Sequence, residues 1–270
     1  MENIRNPVVS GYFYPGEKHA LTKMLKSYVG ISGEKEHVKA VICPHAGYVY
    51  SGKVAGSVYG KIEMPDSVII LGPNHHGFGE PFAIMKEGVW RTPLGDVEIN
   101  KTLAEKILEK SGYLQDDALA HSQEHSLEVQ VPFIQYVKNN VRIVPIVLSG
   151  SIDSIAWPEI GNAISEGIKD YQEKTLIVAS SDFTHYENQK TAEENDRYAI
   201  EAILALDEEL FIERVSERNI SICGYGPIIT AMFASKNLGA KKAEIIDYKT
   251  SGNVTGDYDQ VVGYAGIIIQ

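Results

Sequence analysis

The sequence predicts an α/β fold with a mostly parallel or mixed central sheet and helices on both faces. Three observations support this prediction. Short apolar runs rich in β-branched residues alternate with longer amphipathic segments. Neither an internal repeat of roughly 20–50 residues nor a low-complexity segment interrupts this alternation. No linker rich in Pro, Gly or Ser divides the 270 residues, so we expect a single domain over residues 1–270.

The expected strands are short apolar runs, because strands of a parallel sheet are buried on both faces. These runs cover residues 38–43, 67–71, 141–148, 175–179, 244–248 and 261–269. Residues 82–99 contain Pro-Leu-Gly-Asp in their middle, which is typical of a turn, so we expect a hairpin there.

The expected helices carry apolar residues at spacings of three and four, which place those residues on one buried face. The segment 192–206 shows this spacing clearly at Tyr198, Ala202 and Leu206. The full set of expected helices covers residues 17–29, 53–62, 101–110, 127–138, 153–171, 192–206, 207–215 and 227–236.

Charge and composition exclude several classes of protein. The chain has 25 Lys and Arg against 36 Asp and Glu, a formal charge of −11, which argues against a general nucleic-acid binder. No apolar run approaches the roughly 18 residues of a membrane span, and the N-terminus does not resemble a secretory signal. The two cysteines, Cys43 and Cys223, are far apart in sequence, so we expect no disulfide framework and a cytoplasmic location.

Histidines follow the carboxyl ends of the expected strands. His45 follows the strand at 38–43, and His75 and His76 follow the strand at 67–71. Strand ends of open α/β sheets meet at a ligand crevice, and neutral imidazole is a common metal ligand. A single histidine in a loop more often forms a hydrogen bond to a backbone carbonyl than binds a metal. We expect the strands at 38–43 and 67–71 to be neighbours, however, and two histidines at neighbouring strand ends favour a metal site. Adjacent residues of an extended segment point in opposite directions, so only one of His75 and His76 is expected to bind directly.

Cys223 stands in a glycine-rich segment that leads into a helix. A helix N-terminus lowers the pKa of a thiol and favours the thiolate, which binds metals. The alternative is that Cys223 is a small buried apolar residue. Cys43 lies inside an expected strand, where a packing role is favoured.

Asp182 and His185 follow the strand at 175–179 and suggest an acid–base pair in which the carboxylate orients the imidazole. The alternative is that Asp182 caps the next helix. Ser180 and Ser181 raise the question of a hydrolase, but the sequence has no Gly-x-Ser-x-Gly elbow. Residues 124–128, Glu-His-Ser-Leu-Glu, lack the second histidine of a His-Glu-x-x-His zinc helix.

Six sequence blocks together resemble one known family. They are Pro-His-Ala-Gly-Tyr (44–48), Leu-Gly-Pro-Asn-His-His (71–76), Arg-Thr-Pro-Leu-Gly-Asp (91–96), Glu-His-Ser-Leu-Glu (124–128), Ser-Ser-Asp-Phe-Thr-His (180–185) and Ile-Cys-Gly-Tyr-Gly-Pro (222–227). In this order they resemble the Memo family, also called AmmeMemoRadiSam system protein B, over nearly the whole chain. That family is related in fold to the class III extradiol dioxygenases, which open catechols with non-haem Fe(II) and O₂.

The resemblance implies a metal site formed by His45, His75 and Cys223, with Asp182 and His185 beside it as catalytic groups. In the dioxygenases the third ligand is a carboxylate. A thiolate at that position is softer and favours Fe(II), Cu or Zn, of which we favour Fe(II). Three further residues are expected to contact the substrate: His125, Tyr50 and His76.

These features favour a metal-binding, dioxygenase-like redox protein that acts on a small aromatic or another small molecule. One alternative is a non-catalytic binding, scaffold or metal-handling protein that captures a peptide or a small anion in the same cleft. Another is a zinc hydrolase, in which the metal activates water. The resemblance also implies a functional link to a radical-SAM enzyme and an AMMECR1-like protein. We expect neither nucleic-acid nor membrane partners.

Overall fold

The computed structural model describes residues 3–30, 33 and 35–270. Within these residues the strands are β1 (Ile4–Arg5), β2 (Ala40–Cys43), β3 (Ser67–Pro73), β4 (Phe82–Ile84), β5 (Val89–Thr92), β6 (Gly95–Glu98), β7 (Gln115–Asp116), β8 (Arg142–Leu148), β9 (Thr175–Ser180), β10 (His185–Glu187), β11 (Ala243–Thr250) and β12 (Val261–Ile269).

The helices in the same residues are α1 (Lys18–Val29), α2 (Tyr48–Lys61), α3 (Lys101–Lys110), α4 (Val131–Val137), α5 (Ala156–Tyr171), α6 (Gln189–Leu204), α7 (Glu208–Glu217), α8 (Tyr225–Asn237) and α9 (Gly252–Thr255). Two 3₁₀ turns cover Leu119–His121 and Glu128–Gln130. None of the helices in the described ranges is long and apolar enough to cross a bilayer.

The main sheet is mixed, with a parallel centre. Its strand order is β10-β12-β2-β9-β3-β8-β4-β7, and β11 pairs with β12. The strands β2, β9, β3 and β8 run parallel, whereas β12 and β4 run antiparallel to their neighbours β2 and β8. A small second sheet has the order β1-β5-β6. The predicted α/β class is confirmed.

Helices cover both faces of the main sheet because side chains alternate along its buried strands. Ile42 and Ile69 belong to a core cluster shared with α3, α5, α6, α7 and α8. Val41 and Val68 point to the other face and join a cluster shared with α1, α2 and α4. All residues of β2 and β3 are buried, as the continuous apolar runs predict.

The strands β2 and β3 are not neighbours, and that prediction was wrong. The connection from β2 through α2 to β3 passes over one position of the sheet, which β9 occupies. Cys43 of β2 pairs with Ser180 of β9, and Leu71 of β3 pairs with Ala179. The polar segment that follows β9 therefore lies between the two histidine loops.

Three of the predicted elements differ substantially from the observed ones. Helix α2 begins at Tyr48, five residues before the predicted start, so Tyr50 lies on its first turn. The predicted helix at 127–138 is divided into a 3₁₀ turn and α4, whose first turn contains Pro132. The predicted hairpin forms only between β5 and β6, because residues 82–84 join the main sheet beside β8.

Candidate metal centre

The site lies at the carboxyl ends of β2, β3 and β9. His45, His75 and Asp182 each stand two residues beyond the end of their strand. The ring centroids of His45 and His75 are 5.2 Å apart, and those of His75 and His125 are 4.7 Å apart. His45, His75 and His125 each offer a donor atom within 4.8 Å of the other two, so this group has the geometry of a metal site.

Cys223 contacts this group through His45. Its Sγ lies 3.2 Å from His45 Nε2, and the Asp182 backbone amide donates to the same sulfur at 3.3 Å. The neighbouring Gly224 permits this approach, because a Cβ there would lie 2.5 Å from the Ser180 carbonyl oxygen. Cys43, by contrast, is fully buried in the core, in agreement with its predicted packing role.

The Cys223 thiol is not activated in the way that its place before α8 suggests. Burial raises the pKa of the thiol well above its usual range, and the nearby Asp182 carboxylate raises it further. These two effects on the pKa of Cys223 outweigh the decrease in pKa that we expected from the N-terminus of α8. Because a coordinated cation deprotonates a thiol outright, the thiolate form of Cys223 depends on a bound metal.

His45 is buried and held at two points. Its backbone N–H donates to Asp182 Oδ1 at 2.8 Å, and its Nδ1 lies 3.0 Å from Ser180 Oγ. Burial lowers the pKa of His45 well below its usual value, and the neighbouring His75 and His125 lower it further. The ring is therefore neutral, which is the form that binds metal.

Asp182 and His185 do not form the predicted hydrogen bond. Asp182 Oδ1 accepts from the backbone N–H groups of His45 and Ala46. His185 lies on β10, which leaves the parallel strands to pair with β12, and its Nδ1 donates to the Ser221 carbonyl at 2.7 Å. The backbone of Ser221 thus orients His185, while Asp182 holds the loop of His45. Burial raises the pKa of the Asp182 carboxyl to about 6.

Glu124 is a candidate site residue that the sequence did not reveal. It is 1% exposed, and its Oε2 accepts from the His75 backbone N–H at 2.6 Å. Its Oε1 lies 3.0 Å from His75 Nδ1 and accepts from the Ser126 N–H at 2.7 Å. Burial alone would raise the pKa of this carboxyl, but the hydrogen bonds from His75 and from the Ser126 backbone N–H hold the pKa well below its usual range. The available signal was an acidic residue directly before His125.

The chain matches a known family over nearly its whole length. The family model described as Memo-like protein matches residues 5–268. The chain belongs to the Memo-like family. It is 44% identical over 270 residues to a MEMO1 family protein of Methanosarcina barkeri, an alignment that covers 99% of this chain and 100% of the relative. It is also 44% identical over 274 residues to a MEMO1 family protein of Nitrosopumilus maritimus, with 98% of each chain covered.

A solved structure shares the fold of this Memo-like chain. It is that of an uncharacterized protein, JW3007, from Escherichia coli K12. The two have a TM-score of 0.53 and 14% sequence identity, and the match covers 86% of this chain and 100% of the other. At this level of identity the likeness shows the fold alone.

The three predicted substrate contacts of the Memo-like chain, His125, His76 and Tyr50, are all at least partly exposed to solvent. His125 stacks on His75, and the Phe13 ring contacts its edge at 5.0 Å between centroids. Burial lowers the pKa of His125 to about 4. His76 is exposed and forms a second donor group with Glu124 and His125, and Tyr50 is 43% exposed.

The segment that carries Glu124 and His125 is anchored by a buried ion pair that the sequence did not reveal. Arg5 pairs with Glu128, and their side chains are 5% and 1% exposed. Glu128 also accepts from the Tyr14 hydroxyl at 2.5 Å and from the Val8 N–H at 2.9 Å. Arg5 donates to the carbonyl of Glu124 at 2.6 Å, so the N-terminal segment fixes the position of the site's third histidine loop.

Proposed function

We propose that this Memo-like protein binds a divalent or redox metal and is a non-haem, dioxygenase-like redox protein for a small aromatic or another small molecule. The observation that carries the proposal is the approach of His45, His75 and His125 to one another, with the Cys223 sulfur 3.2 Å from His45 Nε2. These four side chains come from four separate parts of the chain, and only His45 among them is buried, so core packing does not account for their approach to one another.

The donor set fits a metal of intermediate or soft character. Imidazole suits Zn, Cu and Fe, and a thiolate selects for Cu(I), Zn and iron over Mg and Ca. His45 is neutral because of burial, so no proton has to leave it before it binds. We assign His45, His75 and Cys223 as ligands and favour Fe(II) because of the resemblance to the extradiol dioxygenases, with Cu or Zn as alternatives.

The other residues would handle the substrate and its protons. The bound metal would supply Lewis acidity and, as iron or copper, electron transfer. His185 is the proposed general acid–base group, and it acts at Nε2 because its Nδ1 proton is held by the Ser221 carbonyl. Asp182 supports catalysis by holding the His45 loop. The exposed His76 and Tyr50, together with His125, are the proposed substrate contacts.

One observation favours zinc hydrolysis as a second candidate. Catalytic zinc sites commonly use three protein ligands and keep one position for water. The group of His45, His75 and His125 would supply three imidazoles of that kind without Cys223. The third reading, a binding or scaffold protein for a peptide or small anion, stays a prediction from the resemblance, as do the radical-SAM and AMMECR1-like partners.

Metal analysis tests the assignment. Protein purified without oxygen is reconstituted with Fe(II) and compared with Cys223→Ala and with Cys43→Ala, a matched control in which the lost thiol lies in the core. We expect the wild type and Cys43→Ala to retain metal and Cys223→Ala to lose it. Equal metal content in all three proteins would remove Cys223 from the site.

A turnover screen then separates the candidate functions. Oxygen uptake with catechols that is lost in His185→Ala would support the dioxygenase-like function. Ester or amide hydrolysis by the zinc-loaded protein would support the hydrolase instead. Absence of both reactions, with tight ligand binding that survives His185→Ala, would support the binding protein.

A further inference from the structure

We propose that one segment, residues 124–130, holds the ring proton of both His45 and His75 on Nδ1 and so leaves Nε2 of each ring free as the ligand atom. The role of this segment in preparing two metal ligands rests on the proposed metal-binding function. The position of the two ring protons, however, is a property of the metal-free chain. We call residues 124–130 the orienting segment.

The proton of His75 is set directly by Glu124. Both carboxylate oxygens already face backbone N–H groups, Oε2 that of His75 and Oε1 that of Ser126. The carboxylate is therefore an acceptor on every side, and the His75 Nδ1 at 3.0 Å must be the donor. A carboxylate partner of this kind fixes the tautomer and orientation of a ligating imidazole.

The proton of His45 is set through the Ser180 hydroxyl, which has one hydrogen and two acceptor sites. Ser180 Oγ donates to the Ser126 carbonyl at 2.7 Å, which uses its single hydrogen. His45 Nδ1, 3.0 Å from the same oxygen, is therefore the donor. His45 Nε2 then carries the lone pair, on the side where the Cys223 sulfur lies at 3.2 Å.

Gln130 supports this direction of the Ser180 hydroxyl. Its Nε2 donates to Ser180 Oγ at 2.8 Å and to the Pro44 carbonyl at 3.0 Å. Because a carbonyl only accepts, the Pro44 contact settles which end of the amide is the donor. The Tyr59 hydroxyl in turn donates to Gln130 Oε1 at 2.9 Å. Gln130 and Ser180 are both fully buried, so no water competes for these bonds.

A single segment can reach both histidines because of where it lies. Ser126 and Leu127 lie against the end of β3, where Gly72 leaves room for them. A Cβ on Gly72 would lie 2.4 Å from Leu127 Cδ1 and 2.6 Å from Ser126 Oγ. From there the segment contacts His75 directly and reaches His45 across the intervening β9 through Ser180. Glu124, Ser126 and Gln130 are therefore positioning residues.

Nitrogen NMR of the metal-free protein tests the proposal directly. Histidine labelled with ¹⁵N reports which ring nitrogen carries the proton, and the variants His45→Gln and His75→Gln assign the two signals. At a pH of about 8.5, well above the ordinary imidazole pKa of about 6.5, we expect each ring to carry its proton on Nδ1. A proton on Nε2 of either ring in the wild type would overturn the proposal. This measurement does not depend on the folding of any variant of the orienting segment.

Two variants then test the partners. Ser180→Ala removes the acceptor of the His45 ring proton, and Glu124→Ala removes the acceptor of the His75 ring proton. The matched control is Ser165→Ala, which removes a buried hydroxyl that donates only to a carbonyl, that of Asn162 in α5. We expect Ser180→Ala to release the His45 proton from Nδ1 and leave His75 unchanged, and Glu124→Ala to do the reverse.

Zinc titration of the same proteins gives the second readout. Loss of a residue that orients a ligand typically weakens metal affinity about 10–100-fold. We expect this loss in Ser180→Ala and Glu124→Ala and wild-type affinity in Ser165→Ala. Unchanged tautomers and affinity in both variants would overturn the assignment of these residues. If the wild type shows both Nδ1 protons and binds no metal, the proposed function fails while the proton assignment stands.

Discussion

The Nε2 atom of His45 lies 3.2 Å from the sulfur of Cys223, although 178 residues separate the two in the chain. The contact forms because the loop before α8 lies directly against the end of β9. Gly224 has no side chain to keep that loop away, and its backbone N–H donates to Ser181 Oγ at 3.0 Å. The position of the thiol thus depends on one close approach between two backbones.

The first prediction concerns Gly224→Ala. The added Cβ would lie 2.5 Å from both the Ser180 carbonyl oxygen and Ser181 Cβ, so the loop must shift. We expect the free energy of unfolding to fall by about 1–3 kcal/mol and the metal content to fall with it. Urea denaturation and metal analysis check this. In the control, Gly112→Ala, the Cβ meets only Glu159 Oε1 at 3.4 Å. Full metal retention in a destabilised Gly224→Ala would contradict the prediction.

The second prediction compares two arginines. Arg5→Gln leaves the buried Glu128 without its charged partner, and we expect a loss of about 3–5 kcal/mol in the free energy of unfolding. Arg91 pairs with Asp96 at the surface, where both side chains are nearly half exposed. We expect Arg91→Gln to cost at most about 1 kcal/mol. Denaturation of both variants in urea measures the difference, and similar losses would show that Arg5 is not an anchor.

The third prediction separates two roles of Asp182. Because Asp182 Oδ1 accepts from the N–H groups of His45 and Ala46, an amide oxygen can replace it. We expect Asp182→Asn to keep metal binding near the wild-type level. Asp182→Ala leaves both N–H groups without that acceptor and should lower stability by about 1–3 kcal/mol and weaken metal binding. Zinc titration and urea denaturation check both variants. Equal loss of metal in the two would show that the negative charge itself is required.

The fourth prediction concerns acid stability. His121 is fully buried, and neither ring nitrogen makes a well-formed hydrogen bond, although the Ala83 backbone lies close. Burial, assisted by the charge of Arg5, lowers the pKa of His121 to about 3. As the pH falls below about 6.5, the unfolded chain takes up a proton here while the folded chain does not, so stability is lost until the pH reaches the folded pKa.

We therefore expect His121→Leu to reduce this loss. The difference in the free energy of unfolding between His121→Leu and the wild type should grow, by up to about 1.4 kcal/mol per pH unit, as the pH falls from about 6.5 towards 3. Urea denaturation of both proteins at several pH values in this range measures it. A difference that stays constant with pH would contradict the buried, neutral state of His121.

The strands and helices could be predicted because burial leaves a local signature. The runs at 67–71 and 261–269 are apolar throughout, and the structure places β3 and β12 there. The start of α3 has a local signal too, since the Asn100 side chain accepts from the Leu103 N–H. The order of the strands has no such signature. Whether β9 lies beside β2 depends on how far each connection carries the chain across the sheet.

The same distinction applies to the site. His45 and His75 could be predicted because each follows an apolar strand, and Cys223 because its glycine-rich block matches a family pattern. The hydrogen-bond partners of the two histidines could not be predicted, because Glu124 is 49 residues from His75 and Ser180 is 135 residues from His45 in the chain. A serine or glutamate with a distant partner has the same local sequence as one that faces solvent.

The wide spacing of the proposed ligands along the chain determines when the proposed metal site can form during synthesis. His45 and His75 leave the ribosome early, but the chain must grow by a further 148 residues (223 − 75) before Cys223 exists. At roughly 5–20 residues per second this takes about 7 to 30 seconds. Throughout that time a metal ion at the two histidines would lack the Cys223 thiol. The proposed site can therefore take up a metal that requires the Cys223 thiolate only after the chain has grown past residue 223.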